Sequence, residues 1–351
     1  MFSKSLLELE KIVADLDEPK FRAKQIRDWL ERGCPDFRLM KNIPAPLQEK
    51  LAESFRPLPI KDEKVLQSED DATAKFLFKL YDGEQIETVL MRTSYGNSVC
   101  VSSQAGCAMG CKFCASTLLG LKRNLSLDEM TAQVLRCQWE LRADTGTRPN
   151  GDKNQNDITH IVIMGTGEPL ANTENVIGFM RRANELLGIG WRRITLSTCG
   201  IVPEIGHLKE LNEPLNLAIS LHAPTDELRR QIMPAAAQYK IADILDAAFD
   251  FSATHNRQLM IEYILLGGLN DSAKHAEQLA ALLKNKLVMV NLIPWNPVAE
   301  CAGTFTAPSN NQAHRFQDVL IRAGIHTRIR KSRGADIGSA CGQLRIKNPG
   351  E

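Results

Sequence analysis

The sequence lacks the features that mark membrane, secreted and strongly basic proteins. No apolar run in its 351 residues approaches the roughly 18 residues that a transmembrane helix needs. The N-terminus carries acidic residues early and has no apolar stretch typical of a signal peptide, so we expect a cytoplasmic protein that does not bind membranes. The formal net charge is +1, so any nucleic-acid site must be a local basic patch.

Cysteine, in contrast, is present in an informative pattern. The chain has nine cysteines, an odd number, and no export signal, which argues against a disulfide framework. Cys107, Cys111 and Cys114 follow a predicted strand in a loop that also carries Gly106 and Gly110. Their C-x3-C-x2-C spacing lets three thiolates face one centre, and thiolates are the usual ligands of iron–sulfur clusters. A zinc site is the alternative, but it needs four ligands, and no fourth Cys or His is close in the sequence.

Hydrophobic periodicity predicts an α/β fold in three parts. Residues 1–58 have helical spacing and predict a small helical N-terminal accessory domain. Residues 59–95 contain two strand-like runs around Asp82-Gly83 and predict a β-hairpin extension. Residues 96–351 alternate strands with helices, which indicates a parallel sheet. Six such units are too few for a complete eight-stranded barrel, so we expect a partial (β/α)6 TIM-like barrel.

The individual elements of this core can be assigned from the same pattern. The predicted strands are Ser98–Ser102, Thr159–Met164, Arg193–Ser197, Asn216–Ser220, Leu259–Leu265 and Val288–Ile293. The predicted helices are Leu127–Leu141, Thr173–Leu187, Ile241–Phe251 and Ala273–Leu283. Residues 144–157 are rich in Gly, Asn, Thr and Asp and predict a solvated loop.

Polar residues follow several of the predicted strands. Ligands of parallel α/β folds bind beyond the carboxyl ends of the strands, so these residues are candidates for ligand binding. Read alone, each could equally be a tight turn or a structural side chain. They are Gly167 and Glu168, Ser197, Ser220 with His222, and Asn296. Glu168 could accept a hydrogen bond from an ammonium group.

The cysteine triplet resembles the signature of the radical S-adenosylmethionine (SAM) superfamily. In that superfamily, three cysteines hold a 4Fe–4S cluster and leave one iron open, and SAM binds that iron. Reduction then cleaves SAM to a 5′-deoxyadenosyl radical, which is chemistry that the cofactors supply and the protein positions.

Within that superfamily, the sequence resembles the adenine methyltransferases of bacterial 23S ribosomal RNA over nearly its whole length. The most specific segment is Arg333–Leu344. The resemblance implies that Cys107, Cys111 and Cys114 ligate the cluster, and that Cys341 becomes S-methylated. It also implies that Cys100 resolves a covalent RNA–protein adduct and that Glu87 is the proton acceptor. The positions that match SAM-binding residues are Gly167, Glu168, Ser197, Ser220, Leu221, His222 and Asn296.

The chemistry explains why such an enzyme needs two distant cysteines. C2 of adenine is an electron-poor C–H that cannot attack a sulfonium methyl. In the route that the resemblance implies, the Cys341 thiolate takes a methyl group from one SAM, and a second SAM supplies the radical. The methylene radical adds to the base, and attack by Cys100 on Cys341 releases the product and leaves a disulfide, which must be reduced. Two SAM molecules are therefore expected per turnover.

Two branches of this family differ in the carbon that they methylate. Gly-Glu-Pro-Leu, Ile-Pro-Trp-Asn-Pro and Arg-Lys-Ser-Arg-Gly favour C2 of an adenosine in the peptidyl-transferase centre, and C2 of a tRNA adenosine beside the anticodon as a further target. The alternative branch methylates C8 of the same ribosomal adenosine and confers antibiotic resistance. A non-enzymatic, metal-stabilised RNA-binding protein is the alternative of another class.

The expected partners follow from this interpretation. They are 23S rRNA, tRNA as a second RNA, and an electron donor such as flavodoxin or ferredoxin, and we expect the protein to be a monomer. The N-terminal domain is the natural RNA-binding module. Three basic clusters could contact phosphates or could simply be solvated faces: Arg22, Lys24 and Arg27; Lys122 and Arg123; and Arg328, Arg330, Lys331 and Arg333.

Overall fold

The computed structural model of the chain describes residues 1–118, 120–144, 157–298 and 304–344. The predicted loop at 144–157 lies almost wholly outside the described residues, as does Cys301. In the described ranges, no helix combines the length and the apolarity needed to span a bilayer.

The N-terminal region is helical, as its periodicity predicts. It contains α1 (Leu6–Asp15), α2 (Phe21–Glu31) and α3 (Ala45–Ser54). A capping box between Ser5 and Glu8 starts α1, which is a common signal for a helix N-terminus. The helices share a core of their own, whose fully buried members include Val13, Ile26, Leu47 and Leu51.

Four antiparallel strands follow: β1 (Ile60–Gln67), β2 (Thr73–Leu80), β3 (Gln85–Thr93) and β4 (Gly96–Cys100). The predicted hairpin is the β2–β3 pair, and β1 adds a strand on its outer side. On the other side, β3 pairs with β4. The hairpin is therefore continuous with the sheet of the core.

The core begins with a small ribbon, β5 (Gln104–Gly106) and β6 (Leu121–Asn124), whose connection carries the cysteine triplet. Helix α4 (Leu127–Asp144) comes next, and the N-terminal helical region packs against it. Trp29 of α2 packs against Trp139 of α4 with ring centroids 6.0 Å apart. Gly33 lies so close to α4 that a Cβ there would come within 2.0 Å of the Leu135 carbonyl oxygen.

The remaining elements alternate between strands and helices. The strands are β7 (Ile158–Ile163), β8 (Ile194–Thr198), β9 (Asn216–Ser220), β10 (Leu259–Leu265), β11 (Val288–Pro294) and β12 (His326–Ile329). The helices are α5 (Thr173–Leu187), α6 (Val202–Glu210), α7 (Asp226–Ile232), α8 (Ile241–His255), α9 (Ala273–Leu283) and α10 (Asn310–Arg322).

Within the described residues, one ten-stranded sheet has the order β1-β2-β3-β4-β7-β8-β9-β10-β11-β12. Within this sheet, each successive pair from β4–β7 to β11–β12 is parallel. The α/β fold and the six predicted parallel strands are confirmed. The structure adds a seventh parallel strand, β12, and the helices α6, α7 and α10, which the sequence analysis did not assign.

The register of the sheet decides which residues share a face. Cys100 pairs with Val162, Ser220 with Glu262, and Glu262 with Asn291. Because side chains alternate along a strand, these residues all lie on one face, together with Ser197, Ile293 and Arg328. Their sequence neighbours Val99, Leu196, Ile219, Ile261 and Leu292 belong to the apolar core that joins the sheet to its helices. We call the polar side the inner face.

Candidate active site

Two adjoining cavities lie over the inner face. The thiol cavity, of about 570 Å³, is lined by Cys100 and Cys341. The cysteine-loop cavity, of about 160 Å³, is lined by Cys107, Cys111 and Cys114. Four side chains line both cavities: Met164, Ile293, Arg330 and Cys341. The structure therefore places the two groups of cysteines next to each other, with Cys341 at the boundary.

The cysteine loop is fixed by its own backbone. The Gly106 backbone has φ +76°, and a Cβ there would come within 1.9 Å of the Gly120 carbonyl oxygen, so only glycine fits. The Thr117 hydroxyl contacts the carbonyl oxygens of Cys111 and Cys114, each at 3.0 Å. All three cysteines of this loop line the same cavity.

The electrostatics of this loop favour a bound cationic group that balances the negative charge of the cysteine thiolates. Burial raises the pKa of the Cys107 thiol to about 11 and that of Cys111 well above its usual value, and neighbouring cysteines add to both shifts. Three thiolates are thus unfavourable here unless a bound cation balances them. Among the residues that the structure covers, no three Cys, His, Asp or Glu side chains are grouped as around a single metal ion. The thiols instead surround a cavity, an arrangement that fits a multi-iron cluster.

Glu168 is the acidic group at the end of β7, and the protein holds its carboxylate firmly. One oxygen accepts hydrogen bonds from the Thr198 hydroxyl at 2.6 Å and the Leu170 N–H at 3.0 Å. The other accepts from the Cys199 N–H at 2.8 Å. The Cys199 thiol is a further partner of this carboxylate, and Glu168 lines the cysteine-loop cavity. Gly167 precedes it at φ +109°, where a Cβ would come within 2.6 Å of Gln104.

Ser197, Ser220 and His222 also line the cysteine-loop cavity. The two serine hydroxyls lie 3.1 Å apart across β8 and β9. The Ile264 N–H donates to Nδ1 of His222 at 3.0 Å, which requires the neutral ring to carry its proton on Nε2. Burial and the nearby Arg229 charge lower the pKa of His222 to about 3, so the ring is neutral at physiological pH. Leu221 is fully buried and does not line the cavity.

The thiol cavity joins Cys100 to Cys341, which are 241 residues apart in the sequence. Burial and the neighbouring Cys341 raise the pKa of the Cys100 thiol to about 12, and Arg330 opposes this shift. Cys341 and Glu262 in turn raise the pKa of Arg330. The Arg330 guanidinium lies 3.4 Å from the Glu262 carboxylate. It is therefore a fixed positive charge beside both thiols.

Cys341 belongs to the cysteine segment, residues 333–344, which is tied to both the cysteine loop and the antiparallel strands. The Ala115 N–H donates to the Gly342 carbonyl oxygen at 2.8 Å. Asn296, expected at the SAM site, lines the thiol cavity and donates to the Cys341 carbonyl oxygen at 3.1 Å. On the other side, Lys75 of β2 donates to the Gly338 carbonyl oxygen at 3.0 Å.

Glu87, the expected proton acceptor, lies beneath this segment rather than in the cavity lining. It is 1% exposed, and its carboxylate lies 3.1 Å from the Lys75 ammonium. Neither of its oxygens has a hydrogen bond of standard geometry among the described residues. Burial raises the pKa of Glu87 from 4.5 to about 7, and Lys75 limits the rise.

Sequence reasoning missed three charged residues of the site. Arg330 appeared only as part of a basic cluster, and Glu262 and Arg229 were not selected. Arg229 is 0% exposed, donates to the Ala236 carbonyl oxygen at 2.6 Å and contacts the Cys199 carbonyl oxygen. It places a buried positive charge close to Cys111 and Glu168. The run Asp226–Ile232 resembles a solvated helix, so no sequence pattern marks this arginine.

Comparison with known proteins relates this geometry to a family. Residues 101–283 match the family model of the radical SAM superfamily, and residues 1–56 match the ribosomal RNA large subunit methyltransferase N-terminal domain. A probable dual-specificity RNA methyltransferase RlmN of Symbiobacterium thermophilum is 46% identical over 97% of this chain and 90% of its own length. The protein of the same name from Clostridium tetani is 46% identical over 98% of this chain and 96% of its own.

A solved structure supports the same assignment of the fold. The crystal structure of a radical SAM methyltransferase from Sphaerobacter thermophilus is 40% identical, with a TM-score of 0.85 and 98% of both chains covered. The predicted fold class and enzymatic nature are confirmed, and members of this superfamily use a 4Fe–4S cluster and SAM. The superfamily match covers more than half of the chain and the relatives match nearly all of it, so the chain belongs to the RlmN family of radical SAM RNA methyltransferases.

Proposed function

We propose that this enzyme methylates C2 of an adenosine in the peptidyl-transferase centre of 23S rRNA, and C2 of the tRNA adenosine beside the anticodon, with Cys341 as the methyl carrier. The observation that carries the proposal is the position of Cys341, which lines both the cysteine-loop cavity and the thiol cavity. A thiol at this boundary can receive a methyl group on one side and present it to a base on the other. The names of the full-length relatives, dual-specificity RNA methyltransferases, support two RNA substrates.

The residues of the cysteine-loop cavity fit the cofactors of this superfamily. Cys107, Cys111 and Cys114 would hold a 4Fe–4S cluster, and the buried Arg229 would offset part of its negative charge. The Glu168 carboxylate and the hydroxyls of Ser197 and Ser220, which line this cavity, would bind SAM. When bound there, the cluster and SAM supply the methyl group and the hydrogen-abstracting radical that an unreactive C–H requires.

The chain's own groups then carry the later steps. Arg330 favours the thiolate form of Cys100, because its positive charge opposes the rise in the pKa of that thiol. Once the Cys341-bound carbon is joined to C2, the adduct must give up one electron, which the cluster would take, and Glu87 accepts the proton that leaves C2. Because the cysteine segment covers Glu87, this transfer requires that segment to move or a water molecule to relay the proton. The Glu87 pKa of about 7 suits a general base at neutral pH.

Cys100 completes the cycle by thiol–disulfide chemistry. Its thiolate attacks the sulfur of Cys341, so that the carbon–sulfur bond breaks and a sulfur–sulfur bond forms. The released carbon takes up a proton and becomes the methyl group of the product. An external dithiol must then reduce the disulfide, and a one-electron donor such as flavodoxin or ferredoxin must serve the cluster.

A mass-spectrometric digest tests the proposal. A 23S rRNA transcript and a tRNA transcript are incubated anaerobically with enzyme, SAM and reductant, and their nucleosides are identified. We expect 2-methyladenosine from both, and none with Cys107→Ala enzyme. Appearance of 8-methyladenosine instead would establish the alternative regiochemistry and overturn the C2 assignment.

A further inference from the structure

Tyr95 is an exposed aromatic side chain at the mouth of the thiol cavity. It lies with Ser94 in the two-residue turn between β3 and β4 and is 71% exposed. It also lines the thiol cavity. Phe21 and Tyr81 are exposed as well, but neither lines this cavity. An exposed ring at a cavity mouth has an unused π-face.

The structure holds Tyr95 in place although it is exposed. Its ring and that of His160 of β7 form a T-shaped pair, with centroids 6.1 Å apart and an interplanar angle of 82°. The Thr93 hydroxyl donates to the Gly96 carbonyl oxygen across the turn at 2.6 Å. Gly96 packs so closely on β7 that a Cβ there would come within 2.2 Å of the Thr159 hydroxyl. A ring fixed in this way loses little conformational entropy on binding a planar ligand.

The charges around Tyr95 favour a polyanion. Arg328, Lys331 and Arg333 line the same cavity, and none of the described lining residues is acidic. The other two basic clusters differ: Arg27 is paired with Glu31 at 2.7 Å, and Arg123 is paired with Glu129 at 2.8 Å. We call Arg328, Lys331 and Arg333 the basic strip. An aromatic side chain beside such a strip is an arrangement with which proteins bind single-stranded nucleic acid.

The distance along β4 decides which nucleotide the ring can reach. β4 extends from Gly96 to Cys100, and an extended strand rises about 3.3 Å per residue, so about 13 Å separates these two residues, with Tyr95 one residue beyond Gly96 in the turn. A base that reacts at Cys341, next to Cys100, therefore does not lie on Tyr95. The ring is free for a different base, one that neighbours the target.

We propose that Tyr95 is a stacking platform for a nucleobase that flanks the target adenosine, with Arg328, Lys331 and Arg333 on the adjoining phosphates. The inference rests on the proposed function, because it takes RNA as the substrate and the thiol cavity as the pocket of the target base. Extrusion of the target from its stack leaves neighbouring bases without a partner, and Tyr95 replaces that partner.

Equilibrium binding without SAM tests this inference independently of the chemistry. The probe is a 23S rRNA transcript that contains the peptidyl-transferase centre, measured against cluster-containing enzyme. We expect Tyr95→Ala to weaken affinity by about 5-fold to 100-fold, the range for loss of one stacked base. Tyr95→Phe keeps the ring and should stay within about twofold of wild type. Tyr81→Ala, the matched exposed tyrosine outside the cavity, should bind like wild type.

A second readout shows whether the lost affinity comes from stacking. Placing 2-aminopurine at the nucleotides beside the target should give fluorescence quenching with wild-type and Tyr95→Phe enzyme, and not with Tyr95→Ala. Equal affinities and equal quenching for Tyr95→Ala and wild type would overturn the stacking role. The proposed function fails by a different result, namely wild-type enzyme that binds the transcript but forms no 2-methyladenosine.

Discussion

Removal of the Lys75 charge should shift the pH dependence of methylation to higher pH. Lys75 and Glu87 form a buried ion pair with side-chain exposures of 7% and 1% and an N–O distance of 3.1 Å. Lys75 is the charge that keeps the pKa of Glu87 at about 7 against the effect of burial. Lys75→Met keeps the length of the side chain and removes that charge.

The size of the shift can be worked out from this geometry. An opposite charge at ion-pair distance moves a carboxyl pKa by about 1 to 3 units, so Lys75→Met should raise the pKa of Glu87 to about 8 or higher. At pH 7 the ionised fraction of Glu87 then falls from about one half to about one tenth or less. If Glu87 accepts the proton from C2, the rate at pH 7 should drop by at least about fivefold.

The assay is single-turnover formation of 2-methyladenosine across neutral and alkaline pH. Wild-type enzyme should lose activity as the pH falls through about 7. In Lys75→Met this decline should begin at higher pH, and in Glu87→Gln the pH-dependent limb should disappear along with most of the activity. Lys79→Met removes an exposed lysine of the same strand and should leave the profile unchanged. An unshifted limb in Lys75→Met enzyme with full iron content would refute this role of the pair.

The same pKa has the opposite consequence for stability. The folded state holds the Glu87 proton more tightly than the unfolded chain does, so its contribution is fully present below about pH 4.5 and is lost as the pH rises through about 7. The rise from 4.5 to about 7 corresponds to about 3 kcal/mol. In Glu87→Gln, the free energy of unfolding measured with urea should therefore decrease less between acidic and neutral pH than in the wild type. An unchanged decrease would argue against a buried, titrating Glu87.

Three further predictions concern the thiols, the SAM site and the RNA surface. Cys341→Ala should give no methylated RNA, whereas Cys100→Ala should accumulate a covalent RNA–protein adduct on denaturing gels; normal turnover by Cys100→Ala would contradict its resolving role. Glu168→Gln places an amide N–H₂ group among three hydrogen-bond donors, so it should lower the stability by about 1–3 kcal/mol. It should also weaken SAM binding measured by calorimetry. A wild-type SAM affinity in this variant would exclude Glu168 from the SAM site. Arg328→Gln should reduce the salt dependence of RNA affinity by about one counterion. Arg123→Gln alters an arginine that is paired with Asp82 and Glu129, so it should leave the salt dependence of RNA affinity unchanged. If the two variants show the same salt dependence, Arg328 does not contact RNA phosphates.

The sequence predicts the central strands well because they are buried on both sides. Strongly apolar runs such as Leu259–Leu265, in which Glu262 is the one charged residue, indicate buried strands. β12 was missed because His326-Thr327-Arg328-Ile329 is short and mostly polar, as suits an edge strand with one face over a polar cavity. Helix α10 was missed because its apolar face is narrow, with Ala313, Phe316 and Leu320 as its buried residues.

Some residues of the site can be predicted from local sequence patterns, whereas others depend on how distant strands pair. The cysteine loop and the strand-end residues are local patterns, so they could be selected from spacing and position. The charges beside the thiols depend on register: Glu262, Asn291 and Arg328 share a face only because β10, β11 and β12 pair as they do. No local pattern distinguishes Arg330 from the other basic residues around it, and its importance follows only from where the sheet places it.

The anchoring of the cysteine segment has a consequence for how the enzyme is made. Besides Lys75 and Gly338, the Gly334 N–H donates to Asp71 at 3.0 Å, and the Ser68 hydroxyl donates to Asp336 at 2.8 Å. These contacts join residues more than 260 positions apart, so they form late in folding. During synthesis the helical domain, the antiparallel strands and the cysteine loop are all present before Cys341 exists. The nascent chain can thus acquire its metal ligands while it still lacks the thiol that turns radical formation into RNA methylation.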